Sequence, residues 1–251
     1  MRVTVVGSGT VAPALERRQS CVAAEYGGEL IVFDLGSGAL RGMLRAGLDP
    51  LEVDRVFLTH FHPDHTVDLP ALLFTARYGS ESPRTRPLYV CGPEPFAAFW
   101  KALRDAWGEW ISGDYLEVAE LPHNGGTLEL PGGPLSWGPV THRPESVGYR
   151  LSGDRGAFVY TGDTSYGEPV VELARGAHTL LAECSFPDGS PVESHLTPSG
   201  VAAIAAEAGV RRLVLTHLYP QVDTPELPER VRAAGFDGEI VVASDGMTFE
   251  V

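Results

Sequence analysis

Val53-Asp54-Arg55-Val56-Phe57-Leu58-Thr59-His60-Phe61-His62-Pro63-Asp64-His65 decides the reading of this chain. The apolar run to Leu58 has the pattern of a buried strand, and it ends in three imidazoles and a carboxylate within the six residues 60–65. Neutral imidazole nitrogen suits zinc and similar borderline cations, and a carboxylate among histidines adds charge and hard-ligand character. After His65 the apolar period changes. Leu69, Leu72, Leu73 and Ala76 recur at three- and four-residue steps, which predicts an amphipathic helix to about Tyr78. The histidines therefore sit on a strand-to-helix turn. His60 and His62 alternate along an extended segment, while Asp64 and His65 stand at the helix entrance, so one loop can face two adjacent metals.

Working outward towards the N-terminus, residues 29–34 and 20–25 read as a β-hairpin turned by Tyr26-Gly27-Gly28, and residues 2–6 as a first strand ending in Gly7-Ser8-Gly9-Thr10. Asp34-Leu35-Gly36-Ser37-Gly38 closes the hairpin. Ser37 is expected to cap a helix over 39–46 that Gly47 stops. Towards the C-terminus, residues 86–91 form a strand and 94–110 a helix with Phe96, Phe99, Trp100, Leu103 and Trp107 along one side. Such a stripe belongs to a core, with a dimer contact or a lid over the cleft as the other readings. Short strands follow at 115–120, 127–130, 135–141, 146–151 and 157–161. The last two of chemical interest end in Val140-Thr141-His142 and Tyr160-Thr161-Gly162-Asp163. Residues 179–184 form a strand, His195-Leu196-Thr197-Pro198-Ser199 leads into an Ala-rich helix to Ala208, and a strand at 212–216 ends in His217. A helix at 226–234 and strands at 239–242 and 247–251 finish the chain. Every polar candidate lies just past an apolar strand, where an α/β scaffold gathers its functional loops. With no linker, repeat or low-complexity run, residues 1–251 read as one domain.

The bulk properties fit this. Hydrophobic residues make up 43% and charged residues 21%, while 29 Gly and 20 Pro punctuate many short elements. Cys21, Cys91 and Cys184 are odd in number, widely spaced and without a CxxC, so they read as buried hydrophobes in a reducing, cytoplasmic compartment. No run has the shape of a signal peptide or approaches the ~20 apolar residues of a membrane span. A formal charge of −14 argues against a surface built to grip nucleic-acid phosphates, and no stable nucleic-acid partner is expected. A divalent centre would still draw a small phosphate into its cleft.

Collected, the ligand candidates are His60, His62, Asp64, His65, His142, Asp163 and His217. The His-x-His-x-Asp-His pattern followed by single His, Asp and His at later strand ends resembles the metallo-β-lactamase superfamily. The resemblance implies a four-layer αββα sandwich with a two-metal site at one edge. It places His60, His62 and His142 on one metal, Asp64, His65 and His217 on the other, and Asp163 between them. Two divalent cations about 3.5–4 Å apart need a shared carboxylate and a shared hydroxide, and the same pair makes that water acidic near neutrality. Val6-Gly7-Ser8-Gly9-Thr10-Val11-Ala12-Pro13, Phe33-Asp34-Leu35-Gly36-Ser37-Gly38, Gly148-Tyr149-Arg150 and Glu183-Cys184-Ser185-Phe186 are similar to segments of the ribonuclease Z branch. By that resemblance His195 is a non-ligand catalytic histidine oriented by Glu183, and with Asp64 these form the catalytic set. The bland alternative makes His195 a cap of the helix that begins near Thr197. Arg143, Tyr149 and Arg150 are candidates for substrate contact or for a surface role.

Ribonuclease Z enzymes that process transfer RNA carry a long arm between the ligands matched by His142 and Asp163. Here only residues 143–162 lie there, and two strands occupy them. The expected activity is therefore metal-dependent hydrolysis of small or cyclic nucleotide-type phosphodiesters, with short RNA 3′ ends as a further substrate. Another ester-like bond (lactone, thioester or sulfate ester) and a mono-iron oxygenase of the same fold are the competing readings. Zinc is the first expectation for the two ions, with manganese, iron or cobalt accepted by the same donors, and a homodimer is expected by analogy.

Overall fold

The computed structural model describes every residue except Pro83. Its first half builds one sheet from β1 (Arg2–Gly7), β2 (Cys21–Tyr26), β3 (Glu29–Phe33), β4 (Arg55–Phe57), β5 (Leu88–Pro93) and β6 (Leu116–Leu121). Its second half builds another from β7 (Gly126–Leu130), β8 (Gly133–Pro139), β9 (Val147–Gly153), β10 (Gly156–Tyr160), β11 (Thr179–Glu183), β12 (Arg212–Thr216) and β13 (Glu239–Val242). The last strand, β14 (Met247–Glu250), returns to the first sheet beside β1, giving the orders β14-β1-β2-β3-β4-β5-β6 and β13-β12-β11-β10-β9-β8-β7. Each sheet is antiparallel at one end and parallel from β3 to β6 or from β10 to β13.

The central strands of each sheet bury both faces, which is why they read as continuous apolar runs rather than strict alternation, while the edge strands β6, β7, β13 and β14 stay largely accessible. Between the sheets, Phe33 stacks on Phe57 at 5.9 Å and meets Tyr149 at 5.3 Å, with Val3, Val5, Leu135 and Leu181 in the same cluster. On the outer face of the first sheet lie α1 (Ala39–Arg45), α3 (Leu69–Tyr78) and α4 (Phe96–Trp107), which contribute Met43, Leu72, Leu73 and Phe96 to a second cluster. On the outer face of the second lie α5 (Glu168–Ala174), α6 (Pro198–Ala208) and α7 (Leu227–Ala233), contributing Val170, Val201, Ile204 and Val231. Helix, sheet, sheet, helix: the expected αββα sandwich is the observed one.

Several local expectations need correction. The helix at 39–46 is not capped by Ser37. Gly38, in the left-handed region at φ 86°, takes the cap position, and the Ser37 N–H donates to Gln19 Oε1 instead. The helix expected at 94–110 ends at Trp107, where Gly108 (φ 56°) lets the chain tighten into a 3-10 turn over Gly108–Ile111. The aromatic stripe divides accordingly. Phe96 is buried, Phe99, Trp100 and Leu103 pack half-buried on the core, and Trp107 and Trp110 remain 46% and 57% exposed. Helix α5 has no counterpart in the sequence reading. Tyr149 is buried with its hydroxyl on the Leu58 carbonyl, and Arg150 donates to the carbonyls of Leu173 and Arg175, so both serve the scaffold and not the cleft. All three cysteines are buried and free, as expected.

Candidate metal centre

The parallel strands β3, β4, β10, β11 and β12 end at one edge of the sandwich, and the polar candidates lie just beyond them. The loop after β4 carries His60, and His62 precedes α2 (Pro63–Thr66), a short helix that contains Asp64 and His65. His142 follows β8, Asp163 follows β10, and His217 follows β12 with φ 53°, a conformation an L-residue adopts only under constraint.

All seven ligand candidates meet. The donor atoms of His60, His62, His142 and Asp163 lie within 4.8 Å of one another, and so do those of Asp64, His65 and His217. In the first group His62 Nδ1 stands 3.0 Å from His60 Nε2 and 3.2 Å from His142 Nε2. Asp163 divides itself between the groups. Its Oδ2 is 3.9 Å from both His60 Nε2 and His142 Nε2, while its Oδ1 is 3.3 Å from His65 Nε2 and 3.4 Å from His217 Nε2. Among the described residues, His65 Nε2, His217 Nε2 and Asp163 Oδ1 are buried with no hydrogen-bond partner. Buried polar atoms without partners are costly, and these three point at one another. Divalent cations would satisfy them, so the donor set fits the metals that the sequence motif implies.

What holds four of the five rings is a second set of hydrogen bonds on the far side, the arrangement that fixes tautomer and orientation in metal sites. His60 Nδ1 meets Thr59 Oγ1 at 3.0 Å, His65 Nδ1 meets Asp34 Oδ2 at 2.8 Å, and His142 Nδ1 donates to the Ser194 carbonyl at 3.0 Å. His217 Nδ1 meets Ser185 Oγ at 2.9 Å. In each case Nε2 is left facing the cleft. Asp34 is the partner that sequence reasoning missed. It is fully buried, has φ 59°, and also accepts from the Thr59 N–H, the Thr59 hydroxyl and the Tyr160 hydroxyl. A carboxylate closing a hairpin, two residues before a glycine, was the available signal.

The loop is held just as closely by backbone. The Leu35 N–H donates to the His65 carbonyl, and a Cβ on Gly36 would lie 2.2 Å from the Asp64 carbonyl oxygen. Only glycine lets the two turns touch there.

Charge in this cluster is strongly organised. Burial, then the neighbouring His65, pushes His60 well below its usual range and keeps it neutral, and burial with His142 lowers His62. Asp163 is held well below the usual carboxylate range: burial opposes this, but His217, His65 and His60 outweigh it. Asp64 is lowered against burial by His217 and His65. His65 is raised well above normal, because Asp163 and Asp34 outweigh the cost of burial. Carboxylates on both sides of an imidazole make a place for positive charge, and a cation can take the place of that proton.

Beside the ligands, His195 Nδ1 lies 3.0 Å from Glu183 Oε1, and the ring centroids of His195 and His142 are 5.0 Å apart. The helix cap is supplied by Thr197, whose hydroxyl accepts from the Gly200 N–H, so the capping reading of His195 falls. Burial works to lower the His195 pKa, but the bond to Glu183 raises it overall. Glu183 itself is fully buried. It accepts from the Thr164 N–H, the Ser185 hydroxyl and the Leu196 N–H as well as facing His195, so it joins the segments that carry Asp163, His217 and His195. Its hydrogen bonds are all to the groups it positions.

An αββα sandwich with this donor set at its edge defines a class, that of metal-dependent hydrolases. The family model of the metallo-beta-lactamase superfamily matches residues 15–217, and the chain belongs to that superfamily. Uncharacterized protein Rv1339 of Mycobacterium tuberculosis is 33% identical over 258 residues, covering 100% of this chain and 92% of its own. Ribonuclease Z of Methanosarcina acetivorans is 30% identical over 304 residues, covering 100% of this chain and 98% of its own. Among solved structures, the metallo-beta-lactamase fold protein YhfI from Bacillus subtilis superposes with a TM-score of 0.85 at 24% identity, covering 100% and 99% of the two chains. The short form of human tRNase Z does so with 0.78 at 23%, again covering 100% and 99%.

Proposed function

We propose that this protein is a dinuclear phosphodiesterase. The observation that carries the reading is Asp163: one carboxylate oxygen faces His60 and His142, the other His65 and His217, as a bridge between two cations requires. His60, His62 and His142 would hold one ion, Asp64, His65 and His217 the other, with zinc the first choice for imidazole-rich donors. When bound, such a pair supplies Lewis acidity and a water acidic enough to act as nucleophile at neutral pH. The chain's own groups do the rest. His195, whose pKa the bond to Glu183 raises, gives a proton to the departing oxygen, and buried Asp34 and Ser185 keep the ligand rings in register.

The phosphodiester class is supported by the ribonuclease Z relative. Lactone, thioester or sulfate-ester hydrolysis draws on the same nucleophile but has no such support, and a mono-iron oxygenase leaves the second ligand group without purpose. The relative also has what this chain lacks. Its alignment of 304 positions against 251 residues leaves 53 positions with no counterpart here. Between His142 and Asp163 this chain has room for β9 and β10 and their turns alone. Small or cyclic nucleotide-type phosphodiesters, or short RNA 3′ ends, therefore suit it better than a gripped transfer RNA. A cytoplasmic setting suits the three free cysteines, and among the described residues no helix is long and apolar enough to cross a membrane. The homodimer reading attaches to the exposed groove between α3 and the end of α4.

The test is turnover of a panel: bis(4-nitrophenyl) phosphate, cyclic nucleotides, precursor transfer RNA, a thioester and a lactone. The metal-loaded protein should cleave the phosphodiesters, and His195→Ala should keep its metals while losing about 10²-fold or more in turnover. Preference for the thioester or lactone would overturn the phosphodiester reading. Loss of metal in the variant would make His195 a ligand, a role its spacing to Asp163 and His217 permits.

A further inference from the structure

Phe186 and Tyr219 are not accounted for by metal binding or by the core. Other aromatic side chains near the ligands are buried with their hydroxyls satisfied, as Tyr149 and Tyr160 are. Phe186 and Tyr219 are half-buried, and they stand beside the proton donor. Their rings stack at 4.6 Å with 26° between planes. The Phe186 centroid lies 5.5 Å from that of His195, and the Tyr219 centroid 6.1 Å from that of His217. The wall is rigid. The Phe186 N–H is bonded to the Leu196 carbonyl, next to His195, and Tyr219 lies two residues after a ligand held at positive φ. A partly accessible apolar wall against a cluster of buried histidines and carboxylates is poorly used by water, and it suits a planar, weakly polar partner.

We propose that Phe186 and Tyr219 form a stacking subsite for the ring of the alcohol that leaves from phosphorus, so that the substrates are nucleotide or aryl phosphodiesters and not alkyl ones. This rests on the phosphodiesterase reading above. His195 reaches the leaving oxygen, so whatever lies against Phe186 belongs to the leaving side. Phe61, half-buried between ligands His60 and His62, is a different case, because two rings stack on it, Phe99 at 4.8 Å and 12° and Phe96 at 6.0 Å and 21°, whereas Phe186 and Tyr219 stack on each other. Base-on-aromatic stacking tolerates any base, since each has a π-face, and it does not depend on net positive charge. That matters in a chain of formal charge −14, where clustered cations cannot supply most of the affinity.

The test is binding, read by calorimetry on the metal-loaded protein with AMP and ribose 5-phosphate as probes. The two share phosphate and sugar and differ in the ring. AMP should bind about tenfold or more tightly than ribose 5-phosphate. Phe186→Leu should bring AMP to within about threefold of ribose 5-phosphate, Tyr219→Leu should narrow the gap in the same direction, and Phe186→Trp should preserve it. Metal content and ribose 5-phosphate affinity report that each variant is folded. Equal affinities in the unaltered protein, or a preference that survives both leucine variants, would overturn the subsite while leaving the phosphodiesterase reading intact. Failure of both probes to bind, together with no turnover of bis(4-nitrophenyl) phosphate, would remove both.

Discussion

Two buried carboxylates, Asp34 and Glu183, organise residues that a sequence pattern places far apart. Asp34 holds His65 and the backbone of Thr59; Glu183 holds His195, Ser185 and the backbone of Thr164. Spacing alone gives neither its role: both lie in segments similar to the ribonuclease Z branch, which suggests an orienting part for Glu183, but the contacts of Asp34 become visible only where the strand ends meet. Glu183 offers the sharper prediction. A carboxylate beside an imidazole favours the protonated form, which is why His195 is raised despite its burial. Glu183→Gln removes that charge, so His195 should lose its proton at lower pH. If His195 is the general acid, the falling basic limb of kcat/KM for bis(4-nitrophenyl) phosphate should move to lower pH in the variant. A pH profile with that limb unmoved, in a variant that still holds its metals, would dismiss His195 as the acid.

At the scale of elements, the long or strongly patterned ones were legible. Helix α3 falls where the spacing of Leu69, Leu72, Leu73 and Ala76 predicts it, and the strands before His60, Asp163 and His217 are visible as apolar runs. Helix α5 was not, since its seven residues bury only Val170, Val171 and Ala174, too few turns to show a period. Trp107 failed as core for another reason: the helix ends there, at Gly108, and it stays exposed beside Trp110 of the turn that follows. With Val67, Pro70, Ala71, Phe74 and Tyr78 they line an apolar groove. A patch of this kind on a strongly acidic protein is an expected contact surface, and the occupant proposed for it is a second copy of the chain. Sedimentation velocity should then give a dimer that Trp107→Ser with Trp110→Ser weakens by at least about tenfold. A monomer at micromolar concentration would remove this proposal.

The whole molecule explains why ligands scattered from His60 to His217 converge. Two sheets of similar plan face each other, and the parallel strands of both end at the same edge, so loops distant in sequence become neighbours in space. The seven donors could be read from the chain because the segments that carry them follow apolar strands. Their division into two groups could not be read from spacing, which says nothing about which strand ends face each other across a sandwich; that division came from family resemblance, and the distances around Asp163 agree with it. The central claim is two ions joined by one carboxylate, and metal content tests it most directly. The purified protein should hold close to two divalent ions per chain, and Asp163→Ala should lose at least one while remaining folded. A single tightly bound iron, or a variant that keeps the full complement, would contradict the dinuclear account.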